Sequence, residues 1–135
     1  MEMEIFFPGG KRVDANVRDF IIQTDQKKER GGEDEAPTPF ELFLASLGTC
    51  AGIYVLSFCQ SHNIPTEGIR LRQRVERNPA TGMLDRIELE ILLPADFPAK
   101  YQTAVIRSAE KCTVKKHLEQ PPQFSIITRQ EVPVS

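Results

Sequence analysis

The sequence predicts an α+β domain of order βββ–α–ββ–α–(α)–β across residues 1–135, and three features carry that expectation. Short strand-like segments punctuated by a glycine pair open the chain. A long, mostly apolar run from Leu42 to Phe58 has the continuity of a central helix. After Gly68 the apolar period changes to two, as in a hairpin with one solvated face.

Taken in order, Glu4-Ile5-Phe6-Phe7 is followed by Pro8-Gly9-Gly10, and then by Lys11 to Asn16 and Asp19 to Gln23. The Gly-Gly break reads as a hairpin turn within a set of three strands. Residues 25–37 are polar, with a charge cluster at Lys27-Lys28-Glu29-Arg30 before Gly31-Gly32, and read as a mobile surface loop. Thr38-Pro39-Phe40-Glu41 is a helix start: Thr38 caps, Pro39 is pre-shaped for the first helical position, and Glu41 sits where a capping-box carboxylate reaches back. The helix runs to about Gln60 and Asn63-Ile64-Pro65 closes it. Ile69, Leu71 and Val75 mark the next strand, and Asn78-Pro79-Ala80-Thr81-Gly82 a turn. A second strand from Leu84 to Leu93 alternates Ile87, Leu89 and Ile91 with Arg86, Glu88 and Glu90. Pro94 and Pro98 bracket a loop before a second helix, whose apolar set (Tyr101, Ala104, Val105, Ser108, Ala109, Cys112) has helical spacing. A short helix continues through Val114 and Leu118, and Gln123 to Arg129 reads as a last strand.

With 40% apolar and 27% charged residues, a chain of 135 residues can bury one core without disulfide staples. The net charge of −2, with lysines and arginines spread from end to end, excludes a nucleic-acid footprint. The acidic start, Met1-Glu2-Met3-Glu4, lacks the basic and apolar regions of a signal peptide. Three cysteines at irregular spacing are not a secreted disulfide framework. The expectation is a cytoplasmic protein with free thiols. Between Glu41 and Glu67 no residue is charged, and the apolar run approaches the length of a membrane span. Ser46, Gly48, Thr49 and Ser57 interrupt it, however, and Gln60-Ser61-His62-Asn63 end it without an aromatic or basic anchor. A helix apolar all round equally suits a soluble core or a dimer interface, and no membrane is expected.

Cys50 lies mid-helix within Gly48-Thr49-Cys50-Ala51-Gly52, where small neighbours let a segment or ligand approach the sulfur. Two glycines inside a helix cost about 1 kcal/mol each relative to alanine, so a packing or functional reason should offset them. As a free cysteine, Cys50 equally suits the part of a small core hydrophobe. Cys59 is nine residues on, roughly 13 Å along the axis and on another face, so it cannot pair with Cys50 in an intact helix. An intramolecular pair must include Cys112, with either Cys50 or Cys59 as its partner. Cys59 with His62 and Cys112 with His117 offer two Cys–His pairs for zinc, but their spacing is loose and the helix end divides the first. Solvent-facing or capping histidines are the expected reading, with no metal.

The run Pro39-Phe40-Glu41-Leu42-Phe43-Leu44-Ala45-Ser46-Leu47-Gly48-Thr49-Cys50, followed some sixty residues later by Cys112-Thr113-Val114, resembles the OsmC/Ohr family across nearly the whole chain. The resemblance implies the OsmC-like fold, an intertwined homodimer with two long central helices buried between wrapping sheets. It implies a thiol peroxidase for organic hydroperoxides that needs no cofactor. Cys50 would attack the peroxide as thiolate and Cys112 would resolve the sulfenic acid to a disulfide, which an external dithiol reduces. In the peroxidases of the family a glutamate directly follows the proline and pairs with an arginine of the N-terminal Gly-Gly segment to activate the thiol. Here Phe40 holds that place and Glu41 comes one residue later, as in the OsmC-like branch. Arg12, after Gly9-Gly10-Lys11, is the candidate arginine and Arg18 a weaker one. Glu41 thus has two roles open to it, capping and catalysis. A non-enzymatic dimer that binds small molecules or senses redox state, with little turnover, is the alternative function.

Overall fold

The computed structural model describes residues 1–133. Strands β1 (Glu4–Gly9), β2 (Arg12–Val17) and β3 (Phe20–Ile22) form an antiparallel meander in that order. Gly9 and Gly10 turn the first hairpin with φ of +147° and +58°, values that a side chain would strain. Helix α1 (Pro39–Ser61) follows, then the hairpin β4 (Arg70–Arg77) and β5 (Leu84–Leu92). Two short helices, α2 (Gln102–Ala109) and α3 (Thr113–Glu119), complete the ordered elements. The α+β class and element order agree with expectation as far as α3.

The cap of α1 forms as the residues require. Thr38 Oγ1 accepts the Glu41 N–H (3.2 Å), and Glu41 Oε1 accepts the Thr38 N–H (2.9 Å). Thr38→Ala should cost about 1 kcal/mol, read as a lower denaturant midpoint. The hairpin pairs Arg72 with Glu90, Arg74 with Glu88 and Glu76 with Arg86. These charges occupy one face, with Arg74 bridging Glu88 (3.2 Å) and Glu90 (3.3 Å). The opposite face carries Leu71, Leu89 and Ile91 toward α1 and α2. Val55, Cys59, Phe97 and Val105 are the core there, with Leu71, Ile91 and Leu93 packed against them.

Three expectations need correction, and the burial of α1 is partial within one chain. The loop of residues 25–37 is not a loose connector, because it closes around two buried residues. Asp25 is wholly buried, and its carboxylate accepts the N–H groups of Gln26 (2.7 Å) and Glu35 (3.2 Å). These bonds, the Gln26 one foremost, hold it below the usual carboxylate range. Gly32 is buried against the Gln26 carbonyl. Helix α1 buries only one stripe within the chain: Leu47, Ala51, Val55 and Cys59, four residues apart. Its apolar 18-residue window has mean hydropathy 1.9 and is 22% buried, so by length and composition it could cross a membrane. Ile53 is half exposed. Nor does Cys112 end the second helix. That helix stops at Ala109, and Cys112 is the cap of α3. Finally, Gln123–Arg129 belongs to no strand. Phe124, Ile126 and Ile127 there are all more than 80% exposed. A strand needs an edge to pair with, and among the described residues none pairs with this segment.

Candidate active site

Cys50 sits on the flank of α1 beside the buried stripe, half-buried, one turn before Tyr54. Helix α3 meets α1 there. Cys112 is buried at the head of α3. Its Sγ accepts the Lys115 N–H (3.4 Å), and its thiol lies 3.8 Å from the Leu47 carbonyl on α1. The cap geometry thereby brings the start of α3 to Cys50. The first amides of a helix have no partner within it, and those of Thr113 and Val114, with the Thr113 hydroxyl and the Cys112 thiol, favour the ionised form of Cys50.

These groups set the two thiols apart. The Val114 N–H is the largest influence on Cys50, and against the opposing effect of burial the surrounding donors hold its thiol below the ordinary value. Burial pushes the Cys112 thiol up, and the hydrogen bond and charge of the neighbouring Cys50 sulfur push the same way. The result is one thiol shifted toward the anion and one shifted toward the protonated form. A thiolate is the reactive form of cysteine, so the pair has a nucleophile and an adjacent proton-bearing partner. Cys59 is fully buried in the core, raised by burial, and belongs to neither.

The other sequence-derived candidates are held elsewhere within the chain. Arg12 Nη2 binds Asp14 Oδ2 (3.2 Å) on β2, and its Nε is buried without a hydrogen-bond partner. Glu41 is occupied by the cap and lies nine residues before Cys50, about 13 Å along the helix. Arg18, with φ of +53°, places its guanidinium 4.9 Å over the Phe20 ring. Among the described residues no group of three or more His, Cys, Asp or Glu side chains is gathered to hold a metal. His62 and His117 instead hydrogen-bond the carbonyls of Phe58 (2.9 Å) and Thr113 (2.7 Å).

Sequence reasoning missed the amides of Thr113 and Val114, the Thr113 hydroxyl and Tyr54. The available signal was for the Thr113 hydroxyl alone, a polar side chain next to Cys112. A cavity of about 610 Å³ lies between α1, the hairpin and α2–α3. Its walls are mainly apolar, with Leu47, Ala51, Leu89, Ile91 and Val105 among them, and it reaches Cys112. Gln73 is a polar side chain in that wall. Its Nε2 donates to the Leu44 carbonyl (3.0 Å), and its Oε1 would stand 3.2 Å from a Cβ at position 48. That contact accounts for Gly48, whereas Gly52 faces open space within the chain.

No curated protein matches the sequence. Among solved structures, a Psychrobacter arcticus protein assigned to the osmotic stress and detoxification response is similar, with TM-score 0.71 and 20% identity over 84% of this chain and 85% of that one. An OsmC-like protein from Mycoplasma pneumoniae aligns with TM-score 0.69 and 13% identity over 89% and 87%. An organic hydroperoxide resistance protein OsmC from Legionella pneumophila aligns with TM-score 0.53 and 16% identity over 87% of each chain. At these identities the likeness bears on the fold. Residues 32–127, the greater part of the sequence and the part that holds both Cys50 and Cys112, match the OsmC-like protein family, and the chain belongs to that family.

Proposed function

We propose that this protein is a thiol-dependent peroxidase that reduces organic hydroperoxides, with Cys50 as the attacking thiolate and Cys112 as the resolving thiol. The observation that carries the reading is the placement of Cys112, at the cap of α3, beside a Cys50 whose pKa is shifted in the opposite direction. The Cys50 thiolate attacks one peroxide oxygen and the O–O bond breaks, giving Cys50–SOH and, after proton uptake, the alcohol. That step removes the Cys50 negative charge, and with it one of the influences that keep Cys112 protonated. Cys112 then condenses with the sulfenic acid, forming the disulfide and releasing water. An external dithiol returns both residues to thiols. The apolar cavity ending at Cys112 suits the alkyl part of a substrate. Organic hydroperoxide resistance in the Legionella pneumophila protein of the same fold agrees with this reading.

The working form in this reading is a homodimer in the cytoplasm. The chain exposes 11119 Å², against about 7,100 Å² for a compact monomer of its mass. The excess is apolar in places that want a partner: Phe7, Phe20 and Ile21 on the N-terminal sheet, Ile53 on α1, and Phe124 to Ile127. Within one chain Glu41 caps and Arg12 pairs with Asp14, so any part they take is taken at the sulfur of a second subunit. Sedimentation should therefore give about twice the 15.3 kDa chain mass. A compact monomer at micromolar concentration would remove the dimer from the reading.

The test of the chemistry is peptide mass spectrometry after one equivalent of cumene hydroperoxide. It should find a Cys50–Cys112 disulfide and an unmodified Cys59. Oxidation that leaves Cys50 untouched would defeat the proposal. A non-enzymatic dimer that binds small molecules or senses redox state is the second reading, favoured by the engagement of Glu41 and Arg12 away from Cys50. With excess hydroperoxide and dithiothreitol it gives at most one oxidation event per subunit, and a peroxidase gives many.

A further inference from the structure

Tyr54 lies four residues after Cys50, so both project from neighbouring positions on the same side of α1. Its hydroxyl is 3.3 Å from Thr113 Oγ1, the first residue of α3. Its backbone carbonyl accepts the buried Ser108 hydroxyl of α2 (3.2 Å). Tyr54 is thus tied to both helices that close over the flank of α1. Thr113 directly follows Cys112, whose thiol lies 3.8 Å from the Leu47 carbonyl of α1, so the start of α3 packs on the flank of α1 that carries Cys50. The Thr113 and Val114 donors there lower the Cys50 pKa. Among the described residues Tyr54 is the side chain of α1 that bonds the Thr113 hydroxyl, and His117 of α3 bonds the Thr113 carbonyl.

We propose that Tyr54 is a positioning residue for the reaction: its phenol holds the Thr113 hydroxyl and, through it, the start of α3 in register with the Cys50 sulfur. This deepens the reading of Cys50 as the reacting thiol, and rests on it. The tie has two consequences. It keeps the Thr113 and Val114 donors on the sulfur while Cys50 is an anion. It also holds Cys112, the residue before Thr113, within reach of the sulfenic acid. Cys112, the cap of α3, is the titratable side chain that acts on Cys50, whereas the Tyr54 hydroxyl meets Thr113. Lys115 contributes its backbone N–H to Cys112, while its ammonium pairs with Glu119 (3.2 Å). Donation to Cys50 therefore comes from neutral groups whose aim depends on where α3 sits.

The experiment is the pH dependence of Cys50 alkylation by iodoacetamide, read peptide by peptide in the full-length protein. In Tyr54→Phe the midpoint should rise, and the rate on the acid side should fall about two- to tenfold, the range one net hydrogen bond supplies. The alkaline plateau should not change. Thr113→Val should show the same shift, Thr113→Ser should restore the parent profile, and the double variant Tyr54→Phe/Thr113→Val should add nothing beyond either single one. Superimposed profiles for folded Tyr54→Phe and the parent would overturn the proposal. So would a uniform loss at every pH accompanied by a lower melting temperature, which is the mark of a structural role alone. Alkylation needs no peroxide. A parent protein without turnover but with the Tyr54-dependent shift refutes the peroxidase reading and leaves the positioning role standing, and a peroxidase with superimposed profiles does the reverse.

Discussion

Cys50→Ser should reduce hydroperoxide consumption on the order of 10³-fold or more, equivalent to about 4 kcal/mol of lost transition-state stabilisation. A serine hydroxyl at the same position faces the same donors, but it is not ionised at neutral pH and its oxygen is a poor nucleophile toward an O–O bond. Cys112→Ser should act differently. Its hydroxyl can still donate toward Cys50, so the first oxidation should proceed near the parent rate. No Cys50–Cys112 disulfide can then form, and excess peroxide should drive Cys50 to sulfinic acid, seen as a 32 Da gain (about two oxygens) on its peptide. Parent-rate peroxide consumption by Cys50→Ser, measured with the ferrous xylenol orange assay, would end the assignment.

The pH dependence follows from the direction of the Cys50 shift. Because the donors lower its pKa, the Cys50 thiolate should form at lower pH than that of an ordinary cysteine. The rate constant for oxidation should rise with pH, and the rise should come at lower pH than for an unperturbed cysteine thiol. Cys112→Ala removes a donor to Cys50 and should displace the rise toward higher pH, by less than the full shift, since the foremost influence is the Val114 backbone N–H and survives.

What the sequence disclosed of this arrangement, and what it hid, divides along local and non-local physics. The Thr38–Glu41 cap, the alternating hairpin and the closing of α1 near Asn63 are properties of neighbouring residues, and each stands where the pattern put it. Cys112 was legible as buried but not as a cap. The apolar set from Tyr101 to Cys112 keeps helical spacing even though the chain leaves the helix at Glu110, because the buried side of such a turn lies in line with the helix before it. The last strand was legible only as propensity. Ile126, Ile127 and Thr128 favour an extended chain, yet pairing depends on an edge outside the segment. Cys50's surroundings were hidden for a similar reason: they are backbone amides from a helix sixty residues away, and an amide leaves no mark in a sequence.

The loop of residues 25–37 hid its order behind its charge, and this gives the largest stability effect expected of any single replacement. Lys27 to Arg30 are all exposed, which is why the segment reads as a solvated connector. Its inner side is made by Asp25 and Gly32. The Gly32 N–H donates to the Lys27 carbonyl (3.1 Å) and the Asp34 N–H to that of Gln26 (3.0 Å), which closes the loop on itself. A Cβ at position 32 would lie 2.0 Å from the Gln26 carbonyl oxygen, a backbone atom that cannot rotate aside. Gly32→Ala must therefore open the turn, and with it the bonds from Gln26 and Glu35 to Asp25. A loss of roughly 3 kcal/mol or more is expected, equivalent to about 10 °C in melting temperature for a chain of this size. Glu29→Ala, on the outer side of the same loop, should stay within about 0.5 kcal/mol. Calorimetry of the two variants separates a closed loop from a slack one, because a slack loop would absorb the extra methyl at position 32 as readily as the deletion at position 29. The Asp25 N–H also donates to the Pro37 carbonyl (3.2 Å), one residue before the cap of α1. Opening the loop should therefore loosen the entry to the helix that carries Cys50, and amide exchange across the first turn of α1 should accelerate in Gly32→Ala but not in Glu29→Ala.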